Sequence, residues 1–107
     1  MNNYKIALLN DAFRTTLTGG TVLLTVGVQA LPDMVKSAAI RKVVEFVDFN
    51  EDNDPYDEHD FGSFDLCNRR FFWKIDYFDE RAEFGSEDPA DPQKTTRILT
   101  IMLASEY

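Results

Sequence analysis

The stretch SFDLCNRRFFWKIDYF, Ser63 to Phe78, decides the fold. Its second half alternates: Phe71, Trp73, Ile75 and Tyr77 fall on one side of an extended chain, and Phe72, Lys74, Asp76 and Phe78 on the other. Aromatic residues suit a pleated, half-buried surface, so Phe71–Phe78 reads as the strongest strand of the chain. Ser63–Cys67 reads as a shorter strand before it, with Asn68–Arg69 as the tight turn of a hairpin. Downstream, Thr95–Ala104 alternates again and places Leu99, Ile101 and Leu103 on one face.

Upstream of the hairpin the period changes. Ile6, Leu9, Phe13 and Leu17 recur at helical spacing, so Asn2–Leu17 reads as a helix with Lys5, Asn10, Asp11 and Arg14 on its wet side. Gly19–Gly20 ends it, and Thr21–Ala30 follows as a strand with Val22, Leu24, Val26 and Val28 on one face. Leu31–Pro32–Asp33 opens a second helix, where proline is tolerated and Asp33 complements the positive helix end. Its stripe is Val35, Ala39, Ile40, Val43, Val44 and Val47. Asn50–Asp60 and Asp79–Lys94 are loops by their acids, Asn, Gly and Pro. The expectation is an α+β fold of order αβαβββ: a four-stranded, mainly antiparallel sheet with two helices packed on one face.

A chain of 107 residues supports one core, so residues 1–107 are read as a single domain. Nine Phe residues fill a small interior efficiently, which removes the need for a metal or disulfide staple. Cys67 is the only cysteine, excluding an internal disulfide, and reads as a small apolar strand residue. The apolar run Ile6–Leu9 is broken by Asn10, Asp11 and Arg14, too short for a secretory leader or a membrane span. A cytoplasmic protein with no membrane partner is expected.

The formal charge is −8, and it is unevenly placed. Between Asp48 and Asp91 lie fifteen of the nineteen acids but only four of the eleven Lys and Arg residues, a local balance of −11. Such a segment repels phosphate backbones and anionic membranes and attracts a basic protein. The candidate partner-binding acids are Asp52, Asp54, Asp57, Glu58, Asp60, Asp76, Asp79, Glu80 and Glu83, with Phe72 and Phe78 as aromatic contacts on the second face of the strong strand. Direct nucleic-acid binding would need Arg14, Arg41, Lys42, Arg69, Arg70 and Arg97 to converge.

Motifs for chemistry are few. His59, the only histidine, sits in Asp57–Glu58–His59–Asp60, where an acid–base group or a metal ligand is the alternative to a solvated loop. No second His, second Cys or HExxH spacing accompanies it. Asn50, Asp52 and Asp54 begin like a calcium loop, but Pro55 and Tyr56 stand where the required glycine should follow. Asp60–Phe61–Gly62 matches the kinase magnesium tripeptide without its companions, and Gly19–Gly20–Thr21 lacks phosphate-loop spacing. No catalytic residue, metal or cofactor is assigned.

Leu9–Arg14, Thr18–Gly20, Asp52–Pro55, Glu58–Gly62, Phe71–Tyr77 and Thr96–Leu103, taken together over nearly the whole chain, resemble a family of short bacterial proteins of unknown function. The resemblance implies a stand-alone cytoplasmic domain, mainly alphaproteobacterial and often carried on plasmids and other mobile elements. It supplies no activity, cofactor or catalytic residue. For such a setting the acidic segment suggests an anti-defence inhibitor, of anti-CRISPR or anti-restriction type, presenting carboxylates where DNA phosphates would bind. The alternative is a small enzyme or metal-binding domain built on His59.

Overall fold

The computed structural model describes residues 3–107. Helix α1 (Asn3–Thr16) covers the predicted first helix, whose expected first residue, Asn2, lies outside the described residues. Its buried face is Ile6, Ala7, Asn10, Phe13 and Arg14. Asn10 and Arg14, expected on the wet side, are interior, because distant parts of the chain satisfy their polar groups. The helix ends at Leu17, which takes the left-handed conformation at φ 60°, ahead of Gly19 at φ 98°.

The predicted strand Thr21–Ala30 divides. Strand β1 is Thr21–Leu24, and Val26–Gln29 is a single helical turn, α2. The divide is set from the far end of the chain. Glu106 accepts hydrogen bonds from Thr25 Oγ1 and the Gly27 backbone N–H, which fixes the turn. Val26 consequently faces solvent while Val28 is fully buried, so the two do not share a strand face. Helix α3 (Asp33–Val44) follows Pro32, which occupies the N-cap rather than the first helical position. Ala39 and Val43 are buried, but Val47 lies beyond the helix end and is exposed, and Phe46 takes its place in the core.

Strands β2 (Phe61–Leu66) and β3 (Arg69–Phe78) form the expected hairpin, with the turn at Cys67–Asn68, one residue earlier than the reading placed it. Both turn residues have positive φ, 53° and 62°, the combination a two-residue turn needs to match strand twist. Cys67 is thus an exposed turn residue and not an apolar strand position. Strand β4 (Thr96–Leu103) leads into a 3-10 turn, Ala104–Glu106.

The sheet order is β1-β4-β3-β2. β2–β3 and β3–β4 are antiparallel, but β1 runs parallel to β4, so the sheet is mixed. β4 inserts between β3 and the first strand, and an antiparallel return from β3 gives it β1's direction. Phe71, Trp73, Ile75, Leu99 and Ile101 point to one face, where Phe13 of α1, Val28 of α2 and Ala39 and Val43 of α3 close the core. Gly62 faces Trp73 across the hairpin, and a Cβ there would lie 2.4 Å from the indole nitrogen. On the opposite face Phe61, Phe72 and Tyr107 form an aromatic group of the chain's own residues.

Candidate functional site

Arg14 is the pivot between α1, α3 and the acidic loop. Its Nη1 donates to the carbonyls of Val43 at 2.7 Å, in the last turn of α3, and Phe46 at 3.0 Å, just beyond it. Its guanidinium lies 5.4 Å from the Phe49 ring centre and 5.3 Å from that of Trp73. Nη2 pairs with Asp11 at 2.9 Å. A buried cation is thereby neutralised from one turn back in its own helix, and bonded and stacked by residues distant in sequence.

Asp11 also receives His59: the two side chains meet at 2.9 Å between Oδ2 and Nδ1. The imidazole stacks on Phe49 with centroids 4.0 Å apart, and its Nε2 lies 3.6 Å from the buried Asp54 carboxylate. The backbone here is strained, since Asp57 and His59 hold φ of 56° and 57°, a region costly for residues with a Cβ. Asp54 compensates by accepting the backbone N–H groups of Glu58 and His59 on one oxygen.

Glu58 and Asp60 turn toward β3. Tyr77 Oη donates to Glu58 Oε1 at 2.8 Å and accepts from Asn10 Nδ2 at 2.8 Å. Asn10 Nδ2 also donates to the Glu58 carbonyl, while its Oδ1 accepts from Arg97 Nε at 2.8 Å. Arg97 lies over the Tyr77 ring and reaches the Pro89 carbonyl. Burial, reinforced by the Glu58 and Asp54 charges, pushes Asp60 from 3.8 up to about 6. Burial, with the Asp60 charge behind it, also raises the Tyr77 phenol above its ordinary value, so it stays a neutral donor. Burial lowers Arg97, and Tyr77 and Glu58 oppose that effect.

Segments quoted above for the family resemblance meet here: Asn10, Asp11 and Arg14 from the first, Asp54, Glu58, His59 and Asp60 from the acidic loop, then Tyr77 and Arg97. The expected site residues are divided between this network, the exposed loops and the second sheet face. Asp54 is buried, and Glu58 and Asp60 are half-buried members of the network. Asp76 pairs with Lys74 at 3.0 Å on the second sheet face. Asp79 caps its own loop by accepting from the backbone of Arg81 and Glu83, and these bonds hold its carboxyl below the usual range. Asp52, Asp57, Glu80 and Glu83 are exposed, and among the described residues none of them joins an ion pair. Phe72 packs with Phe61 and Tyr107, and Phe78 is half-buried.

The antiparallel pairings put both acid-rich loops at one end of the sheet. Residues 45–60 enter β2 there, and residues 79–95 join the end of β3 to the start of β4. Arg97 ties the two together through Asn10 and Pro89. The Arg69–Arg70 pair sits at the opposite end, while Arg14 and Arg97 are interior, so the arginines do not converge on one basic face. Asn10 and Asp11 are the network members that sequence reasoning placed in no candidate site, and Arg14 and Arg97 entered it only as members of a basic face. The helix pattern puts Asn10, Asp11 and Arg14 on the wet side, so it gives no signal that Asn10 and Arg14 are buried.

Among the described residues no group of three or more His, Cys, Asp and Glu side chains has the geometry to hold a metal, and no helix is long and apolar enough to cross a membrane. Neither the curated proteins nor the solved structures contain a match. Residues 24–106 match the family model described as protein of unknown function, DUF3768, a span that begins after α1 and includes the acidic loop and all of β2, β3 and β4. The chain belongs to the DUF3768 family.

Proposed function

We propose that this protein is a non-catalytic interaction protein that docks onto a basic surface of another protein through the acidic end of its sheet. One observation carries the reading: two separate acid-rich loops lie at that end, and their exposed Asp52, Asp57, Glu80 and Glu83 form no ion pair among the described residues. Holding them there costs stability by self-repulsion, which a cationic partner relieves. The partner class that fits best is a protein whose basic channel ordinarily meets nucleic-acid phosphates, and the specific form of the proposal is an anti-defence inhibitor of the anti-CRISPR or anti-restriction kind. Nucleic acid itself is repelled by the same charge.

Capture from a lysate of the source organism tests it. The wild type should retain a basic protein at low salt and release it as salt rises. A variant carrying Asp52→Asn, Asp57→Asn, Glu80→Gln and Glu83→Gln should not retain it. Equal recovery by both proteins, or no basic partner at low salt, contradicts the proposal.

A second reading is favoured by the His59–Asp11 contact, because the imidazole side chain keeps 31% of its surface open to solvent. A small enzyme or metal-binding domain would use this pair. Calorimetric titration with divalent metals that gives heat in the wild type and none in His59→Ala supports it, and flat traces at millimolar metal contradict its metal form.

A further inference from the structure

The outward face of α1 is mostly polar or small, at Lys5, Ala12, Thr15 and Thr16, yet Tyr4 and Leu8 interrupt it one helical turn apart. They are 75% and 51% exposed. The loop that carries Tyr56, 70% exposed, is pinned against the start of the helix, because Asn3 Nδ2 donates to the Tyr56 carbonyl at 2.9 Å. Large apolar side chains gathered this way on a small acidic protein mark a contact surface.

Between helix and loop runs a groove of about 500 Å³. Tyr4, Ala7 and Leu8 are its apolar lining, and Asn3, Asp11, Asp57 and His59 its polar lining. Asp11 is already engaged by Arg14 and His59, whereas Asp57 has no ion-pair partner among the described residues. Asp57 and His59 also wall a second recess of about 600 Å³ that includes Glu51 and Asp54, so carboxylates continue past the groove's mouth.

We propose that this groove seats an aromatic or aliphatic side chain of a partner segment in which that side chain is flanked by lysine or arginine. The assignment rests on the acidic-docking reading above and names where its apolar anchor lies. Charge complementarity selects the occupant. A neutral apolar segment would cover Asp57 without pairing it, and an acidic one would meet like charge at the mouth. A basic flank pairs Asp57 while the apolar side chain displaces water from Tyr4 and Leu8. A central apolar anchor with charged residues around it is the usual distribution of energy in such contacts.

The test uses the full chain, labelled with nitrogen-15, and two blocked peptides, Lys-Phe-Lys and Lys-Gly-Lys. The Lys-Phe-Lys peptide should shift the amides of Tyr4, Leu8 and Asp57 and bind roughly tenfold more tightly than the glycine analogue. Leu8→Ser should abolish that difference and leave Lys-Gly-Lys binding unchanged. If both peptides shift only the loops of residues 48–60 and 79–91, equally, the groove assignment is overturned and the acidic reading stands. If neither peptide shifts any amide at millimolar concentration, both fail. Shifts at Tyr4 and Leu8 that appear on raising the protein concentration alone, with a sedimentation change to a dimer, overturn the assignment in favour of a second copy of the chain.

Discussion

Arg97 Nε lies 2.8 Å from Asn10 Oδ1, and both side chains are closed off from solvent. The contact joins the first helix to the last strand, and among the described residues no carboxylate forms an ion pair with the guanidinium. Its charge is supported by the Asn10 amide, the Pro89 carbonyl and the Tyr77 ring. Asn10 in turn holds Tyr77 and the Glu58 backbone, so one amide organises both acidic loops.

Asn10→Ala should therefore be among the most damaging single changes outside the apolar core. It strands Arg97 Nε and removes the donor to Tyr77 and Glu58, at a cost of about 2–4 kcal/mol in chemical denaturation. A loss below about 0.5 kcal/mol would mean that water replaces the amide freely.

Arg14→Lys tests whether shape or charge matters at the pivot. An ammonium keeps the charge but cannot reach the Val43 and Phe46 carbonyls and Asp11 together while stacking between two rings. The variant should lose about 2 kcal/mol, and Arg14→Met should be no worse than about 1 kcal/mol beyond it. Full stability in Arg14→Lys would reduce the site to simple charge neutralisation.

Gly62→Ala probes close packing across the hairpin. The added Cβ would sit 2.4 Å from Trp73 Nε1 and 2.7 Å from Phe46 Cζ, so ring or strand must move. Overpacking of this kind costs about 1–3 kcal/mol, and near-ultraviolet circular dichroism should change because Trp73 is the only tryptophan. An unchanged spectrum with unchanged stability contradicts the packing described.

Asp60 supplies a pH dependence of definite sign. Its folded value near 6 lies above the ordinary 3.8, so the native state binds the proton more tightly than the unfolded chain. Its contribution to stability is complete below about pH 4 and declines as pH rises toward 6 and above. Asp60→Asn removes the titration, so the variant should gain on the wild type across that window. The full linkage is discounted for partial solvent screening to about 1 kcal/mol at pH 7. A difference that stays flat between pH 4 and 7 would contradict the environment assigned to Asp60.

The strands were legible where alternation is strict, at Phe71–Tyr77 and Leu99–Leu103, because a half-buried strand leaves a period of two in its letters. The turn at Val26–Gln29 was hidden for a physical reason. Val22, Leu24, Val26 and Val28 continue the period, and the feature that breaks it is Glu106, 79 residues beyond the Gly27 amide it accepts. The parallel placement of β1 was equally non-local, since pairing depends on where β4 inserts. At the site, composition separated the acidic segment from the rest of the chain but did not separate its members. Asp54 and Asp52 look alike in sequence, yet one is buried beneath the strained loop and the other faces water. Asn10 and Arg14 read as surface residues because their partners, Arg97 and the Val43 carbonyl, lie 87 and 29 positions away respectively.

The salt dependence of partner affinity tests the docking account most directly. Binding of the captured basic protein, titrated at rising ionic strength, should weaken steeply for the wild type. The Asp52→Asn, Asp57→Asn, Glu80→Gln and Glu83→Gln variant should bind at least tenfold more weakly at low salt, with a visibly flatter slope. Coincident curves for the two proteins would show that these exposed carboxylates do not form the contact.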